Sequence, residues 1–216
     1  HHLVVTIPSA LMGWMIGIIE DNDKIDIGTA DFSIQFWLKT VDSNRAHILS
    51  KSAGSGQQNP TDESWYFIHL ASNGIIEFEI TDGYSGSGDY SSASGSTIVN
   101  DNQWHLVSVS FDRDGLGNIY IDGILDASSS ISSHSGNLSN DYNLEIGSDL
   151  ELGEHYLDGY LDNILIWNRV ISENELIGEY DSNEGLIAHY KFNAGQGDIL
   201  YDHSGNQNHG TINGAT

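Results

Sequence analysis

The sequence predicts an all-β protein built as two antiparallel sheets packed face to face. Three observations carry this. Apolar and polar residues alternate with period two in segment after segment, as they do in half-buried strands. Turn-forming residues punctuate those segments: Gly occurs 24 times against 2 Pro, and Ser and Asn are abundant. Only one stretch carries a helix start signal, so the strands must bury one another.

Taken in order, Phe32, Ile34, Phe36 and Leu38 alternate with Ser33, Gln35, Trp37 and Lys39. Val107, Val109 and Phe111 alternate with Ser108 and Ser110 in a second strand. Ile119 and Ile121 lead into Asp122-Gly123, a hairpin turn dipeptide, and Ile124 and Leu125 begin the return strand. Tyr142, Leu144 and Ile146 mark another strand. In Gly159 to Leu176, Ile164 and Ile166 share one face with Asp162, and Leu165 and Trp167 share the other. Ser172-x-x-Glu175 then has the form of a capping box, which predicts one short helix over 172–180. The stretches Ser52 to Ser64 and Asp82 to Ser96 are polar and read as loops.

Seven Lys and Arg stand against 31 Asp and Glu, a formal net charge of −24. That balance repels nucleic acid and anionic membranes and favours cations, with calcium the natural partner. There are no cysteines, which excludes disulfides and thiolate metal sites. No apolar run approaches the roughly 20 residues of a membrane span. Leu11 to Ile19 is short and broken by glycines, so no membrane insertion is expected. No signal peptide is visible, and the chain reads as a mature segment preceded by His1 and His2 of a purification tag.

Three segments, GYLDNILIWNRVISENEL, DNQWHLVSVSFD and NIYIDGILDAS, follow DFSIQFWLKT, AHILSK and GIIEFEI in a particular combination. Together they resemble the laminin G-like branch of the concanavalin A-like lectin/glucanase superfamily. The resemblance covers most of the chain. It implies a jelly-roll sandwich, residues 1–216 as one domain, and a secreted or cell-surface module. Trp37, Trp104 and Trp167 fall at positions that look architectural in the family pattern. The segment Gly185 to Thr216 resembles the opening of such a domain, not its end. Either 185–216 starts a following repeat, or it supplies a permuted first strand, pairing beside Leu3 to Ile7.

Calcium needs several oxygen ligands. Asn22 and Asp23 lie in an acidic turn, and Asp202 and Asn206 in the loop DHSGNQNHG, beside Ser204 and Asn208. Asp162 is a carboxylate inside an otherwise apolar strand, where it must be exposed, hydrogen-bonded or bound to a cation. In similar jelly rolls the comparable aspartate often joins a structural calcium, which makes Asp162 the leading candidate ligand. No EF-hand, zinc-protease or nucleophile-elbow motif is present.

Glu77-x-Glu79-x-x-Asp82 is similar to the Glu-x-Asp-x-x-Glu strand of laminarinase-type glycosidases, with different acids at its second and last positions. One alternative is therefore a glycoside hydrolase using Glu77 and Asp82. The leading expectation is a non-catalytic, calcium-stabilised carbohydrate-binding module of a secreted multidomain protein, with a polysaccharide or glycan as partner. Trp14, Trp65, Tyr66, Tyr84, Tyr90 and Tyr156 are the candidate sugar contacts, because they lie near predicted loops. The remaining alternative is a protein–protein adhesion or spacer module among neighbouring domains.

Overall fold

The computed structural model describes residues 16–52, 64–83, 89–148, 155–180, 182–193 and 197–213. Among them, fourteen strands form two sheets. The larger sheet runs β13 (Ile199–Leu200), β14 (Gly210–Asn213), β1 (Ile16–Ile19), β10 (Leu144–Ile146), β3 (Ala46–Lys51), β4 (Trp65–Leu70), β5 (Ile76–Thr81) and β6 (Ser91–Ser94). The smaller runs β12 (Leu186–Tyr190), β11 (Gly159–Trp167), β2 (Phe32–Thr40), β7 (His105–Phe111), β8 (Leu116–Ile121) and β9 (Ile124–Ser130). Every pairing is antiparallel. This is the two-sheet jelly-roll sandwich that the alternation predicts.

The apolar halves of the strands meet between the sheets. Phe32, Ile34, Phe36 and Leu38 of β2 face Tyr66, Ile68, Phe78 and Ile80 of β4 and β5 in one cluster. Phe111 stacks on Phe32 at 4.2 Å and meets Phe78 edge-on at 5.0 Å. Gly117 lies under that contact: a Cβ there would sit 2.3 Å from Phe78 Cζ, so no larger residue fits unless the ring moves. At the β8–β9 hairpin, Asp122 and Gly123 both have positive φ, 54° and 80°, as a type I′ turn requires.

Two local expectations change. The capping box forms: Ser172 N and Oγ donate to Glu175 Oε2 at 2.7 and 2.9 Å. The helix it starts is only a 3-10 turn, Glu175–Ile177, because Gly178 enters the left-handed region (φ 83°) and closes it. The second change is in β11. The register slips between Asp162 and Leu165, where Asn163 takes φ 49°. This bulge reverses the alternation. Asp162 stands opposite Trp37, and so on the outer face of the smaller sheet, whereas Ile164 and Ile166 enter the core. Asp162 is therefore not on the face of Ile164 and Ile166, although it is buried.

The outer face of the smaller sheet also holds a second apolar cluster, Leu165, Trp167, Ile171 and Leu186, lying against Leu176. Trp167 is buried there, in keeping with an architectural role. From Gly185 onward the chain enters both sheets: β12 pairs with β11, and β14 pairs with β1. Ile187, Tyr190 and Leu200 join the main core. Leu3 to Ile7, the expected partner, lies outside the described residues. Among the described residues no helix is long and apolar enough to cross a membrane.

Candidate functional site

Strand alternation builds the site. On β4, Tyr66, Ile68 and Leu70 point into the core, so Trp65, Phe67 and His69 point to the other face of the larger sheet. On β5 the core residues are Ile76, Phe78 and Ile80, which sends Glu77 and Glu79 to that same outer face. The register then sets the neighbours. His47, His69, Glu77 and Ser94 form one row across β3 to β6. Phe67, Glu79 and Ser92 form the next.

One flank of this face is a ladder of rings. Tyr90 lies 5.9 Å from Trp65, Trp65 stacks on Phe67 at 5.0 Å, Phe67 stacks on His47 at 4.9 Å, and His47 stacks on His155 at 5.4 Å. Phe67 and His47 are buried, whereas Trp65 is half-buried and Tyr90 is 40% exposed. The ladder therefore opens to solvent at its Trp65–Tyr90 end. Each ring offers an apolar face on which another flat apolar surface can lie.

The other flank is polar. Glu77 takes a hydrogen bond from Ser94 Oγ at 2.7 Å and pairs with His69 Nε2 at 2.7 Å. Glu79 is partly exposed and lies 3.5 Å from the Arg45 guanidinium, which itself sits over the Phe67 ring. Burial pushes the Glu77 carboxyl up, but the bonds from Ser94 and His69 outweigh this and leave it below the usual range. Burial pushes Glu79 up; Arg45 partly offsets it and Glu77 adds to it. Burial, with His69 and Arg45 nearby, lowers His47 to about 3. Burial and Arg45 lower His69 to about 4 against the pull of Glu77. At neutral pH both imidazoles are uncharged.

Two of the expected sugar contacts, Trp65 and Tyr90, come together on this face. Tyr66 points the opposite way, into the core, and is 1% exposed. Tyr156 is half-buried and follows His155. Trp14 and Tyr84 lie outside the described residues. His47, Phe67, His69 and Arg45 are not picked out by the sequence, and Glu79 enters there only as the middle acid of the glycosidase-like motif. The alternation in WYFIHL and IEFEIT, read as a hairpin through Asn73-Gly74, contains the signal that places His69 beside Glu77.

Glu77 and Asp82 are not brought together. Glu77 lies within β5, held by His69 and Ser94, whereas Asp82 follows Thr81, the last paired residue of that strand. Asp82 instead accepts a short hydrogen bond from Gly136 N and contacts His134 Nδ1 at 3.3 Å.

All but one of the candidate metal ligands have protein partners. Asn22 Oδ1 accepts from Lys24 N, and Asp23 is exposed. Asp202 accepts from His189 N, Ser204 N, Ser204 Oγ and Asn208 N. Asn206 donates to Leu186 O and Ile187 O. Lys24 Nζ donates to Asn206 O at 3.0 Å, which joins the acidic turn to the DHSGNQNHG loop. Asp162 Oδ1 accepts from Asn163 N at 2.8 Å. Among the described residues no three His, Asp or Glu side chains converge in a way that could hold a metal ion.

A laminin G-like family model, described as the Concanavalin A-like lectin/glucanases superfamily, matches residues 19–177. No curated protein matches the chain. Among solved structures, the chain is similar to a candidate carbohydrate-binding protein from Bacteroides ovatus ATCC 8483. The TM-score is 0.68 at 17% identity, over 95% of this chain and 60% of that one, so the chain spans under two thirds of that protein. It is also similar to a heptameric SAP-like pentraxin from Limulus polyphemus, with TM-score 0.54, 14% identity, and 81% and 78% of the two chains. The CBM40 of a Ruminococcus gnavus IT-sialidase, solved with alpha2,3 sialyllactose, gives 0.53 at 15% identity, over 70% and 83%. At these identities the likeness is one of fold.

Proposed function

The chain belongs to the concanavalin A-like lectin/glucanases superfamily, and from that premise we propose that it is a non-catalytic carbohydrate-binding module. The observation that carries this reading is the outer face of the larger sheet. There, rings ending in Trp65 and Tyr90 lie beside Glu77, Glu79 and Ser94. A sugar ring has an apolar C–H face and a polar rim of hydroxyls. It can lay the first on the indole and phenol and direct the second to the carboxylates. That Glu77 is engaged by His69 and Ser94, and Asp82 by Gly136 and His134, supports binding without turnover.

The same reading makes the protein a secreted or cell-surface module within a longer chain, stabilised by calcium. Support for calcium is the buried Asp162 carboxylate in its bulge, and the carbonyl- and amide-rich loop around Asp202 and Asn206. Residues 185–213 belong in this reading to the same domain, because they complete both sheets. A glycan array, run with and without chelator, tests the function. Retention of at least one glycan supports it. Capture of none, together with turnover of a glucan that Glu77→Gln abolishes, would establish a glycosidase instead.

A further inference from the structure

We propose that the outer face of the larger sheet selects uncharged glycans and rejects polyuronates, an inference that rests on the carbohydrate reading above. It starts from the cations. The chain has only seven Lys and Arg, and all are among the described residues. Lys51 is fully buried, with Asp21 and Asp26 at 2.6 and 3.3 Å and the carbonyls of Asn140 and Tyr142 completing its surroundings. Arg113 is buried against His134 O and Gly136 O. Arg169 is held by Glu175 on the other sheet. Lys24 lies at the acidic turn, Lys39 lies in β2 and Lys191 follows β12, both of the smaller sheet.

That leaves Arg45, whose guanidinium lies over Phe67 next to Trp65 in the ladder, as the one Lys or Arg on this face. It is already faced by Glu79 at 3.5 Å, and Glu77 adds a second carboxylate. His47 and His69 are uncharged at neutral pH and add nothing to offset them. An anionic sugar placed on the exposed rings would meet Glu79 and its engaged guanidinium in the next row, with Glu77 one row further on, within a chain of net charge −24. A neutral sugar meets the same groups as hydrogen-bond partners: carboxylates accept from its hydroxyls, and the exposed part of Arg45 donates to its oxygens. The charge that repels a uronate is therefore an asset for a neutral ligand.

The test is affinity electrophoresis of the folded chain, with chelator present so that calcium cannot bridge carboxylates. Gels contain a neutral glucan, a neutral galactan or polygalacturonate. The expected result is retardation by at least one neutral polymer and none by polygalacturonate. Glu79→Gln removes one carboxylate and releases Arg45, so it should gain several-fold retardation by polygalacturonate, whereas Arg45→Gln should gain none. Glu79→Gln is isosteric and Arg45→Gln shortens a partly exposed side chain, and the unfolding midpoints of both report that they fold. Retardation of the wild type by polygalacturonate, lost in Arg45→Gln, would overturn the inference and leave the carbohydrate reading standing. No gain in Glu79→Gln would also overturn it, because the discrimination would not arise on this face. Retardation by none of the polymers would remove the carbohydrate reading and this inference with it.

Discussion

Glu175 offers the clearest energetic test of how this sandwich is closed. Its carboxylate is 5% exposed and accepts from Arg169 Nη1 and Nη2 at 2.8 and 2.5 Å, and from Ser172 N and Oγ. The hydrogen bonds from Arg169 are the largest influence. With those from Ser172 they outweigh burial and hold the group at about 2, against an ordinary 4.5. At about 1.4 kcal/mol per pH unit that difference corresponds to about 3 kcal/mol. Arg169 is partly open to water, which screens the pair, so about 2 kcal/mol is expected in practice. Because the folded value is depressed, the contribution is present above pH 4.5 and is lost as the pH falls through about 2. Glu175→Gln should therefore lower the unfolding free energy by about 2 kcal/mol at neutral pH, and the gap should shrink by more than half by about pH 3. Urea unfolding followed by tryptophan fluorescence suits the measurement, since Trp167 is buried close by. A wild-type-to-variant gap that stays constant from pH 7 to pH 3 would refute the assignment of this energy to an ionised Glu175.

Three further outcomes are expected. His105 pairs with Asp122 at 2.9 Å and Asp101 at 3.2 Å; burial lowers its pKa, but these bonds outweigh burial and hold it above the ordinary value. Its contribution should be complete below about pH 6.5 and be lost as the pH rises through the higher folded value, so the stability gap to His105→Gln should narrow as the pH is raised above neutrality. Gly117→Ala should destabilise by roughly 1–3 kcal/mol through overlap with Phe78, and a melting temperature equal to wild type would show that the ring yields freely. Calcium should raise the melting temperature by binding the native state, and Asp162→Ala should lose that response; calorimetry with no heat at millimolar calcium would remove calcium from the account.

Much of the fold is legible in the sequence because strand alternation and turn chemistry are local. Phe32 to Lys39 and the Asp122-Gly123 hairpin fold as their patterns indicate. What is not legible depends on register. The bulge at Asn163 carries no composition signal, yet it moves Asp162 to the opposite face from the one simple alternation assigns. The capping box at Ser172 is readable, but Gly178 limits the helix to one turn. Lys51 reads as an ordinary polar strand residue, and only the convergence of Asp21, Asp26 and the 140–142 carbonyls explains its burial. The site divides in the same way. Trp65 and Tyr90 stand out singly as aromatics near loops. The ring ladder and the His69–Glu77 pair need four strands in register before they exist.

The central claim is that the Trp65–Tyr90 end of the ladder is where a glycan lies. The direct measurement is binding of the wild type and Trp65→Ala to a retained neutral polysaccharide, with the unfolding midpoint of each recorded alongside. Trp65 is half-buried and stacks on Phe67, so its loss removes the platform while the core residues of β4 stay in place. The account predicts a loss of affinity of about tenfold or more, equivalent to at least about 1.4 kcal/mol, with cooperative unfolding preserved. Unchanged affinity in a folded Trp65→Ala protein would contradict it.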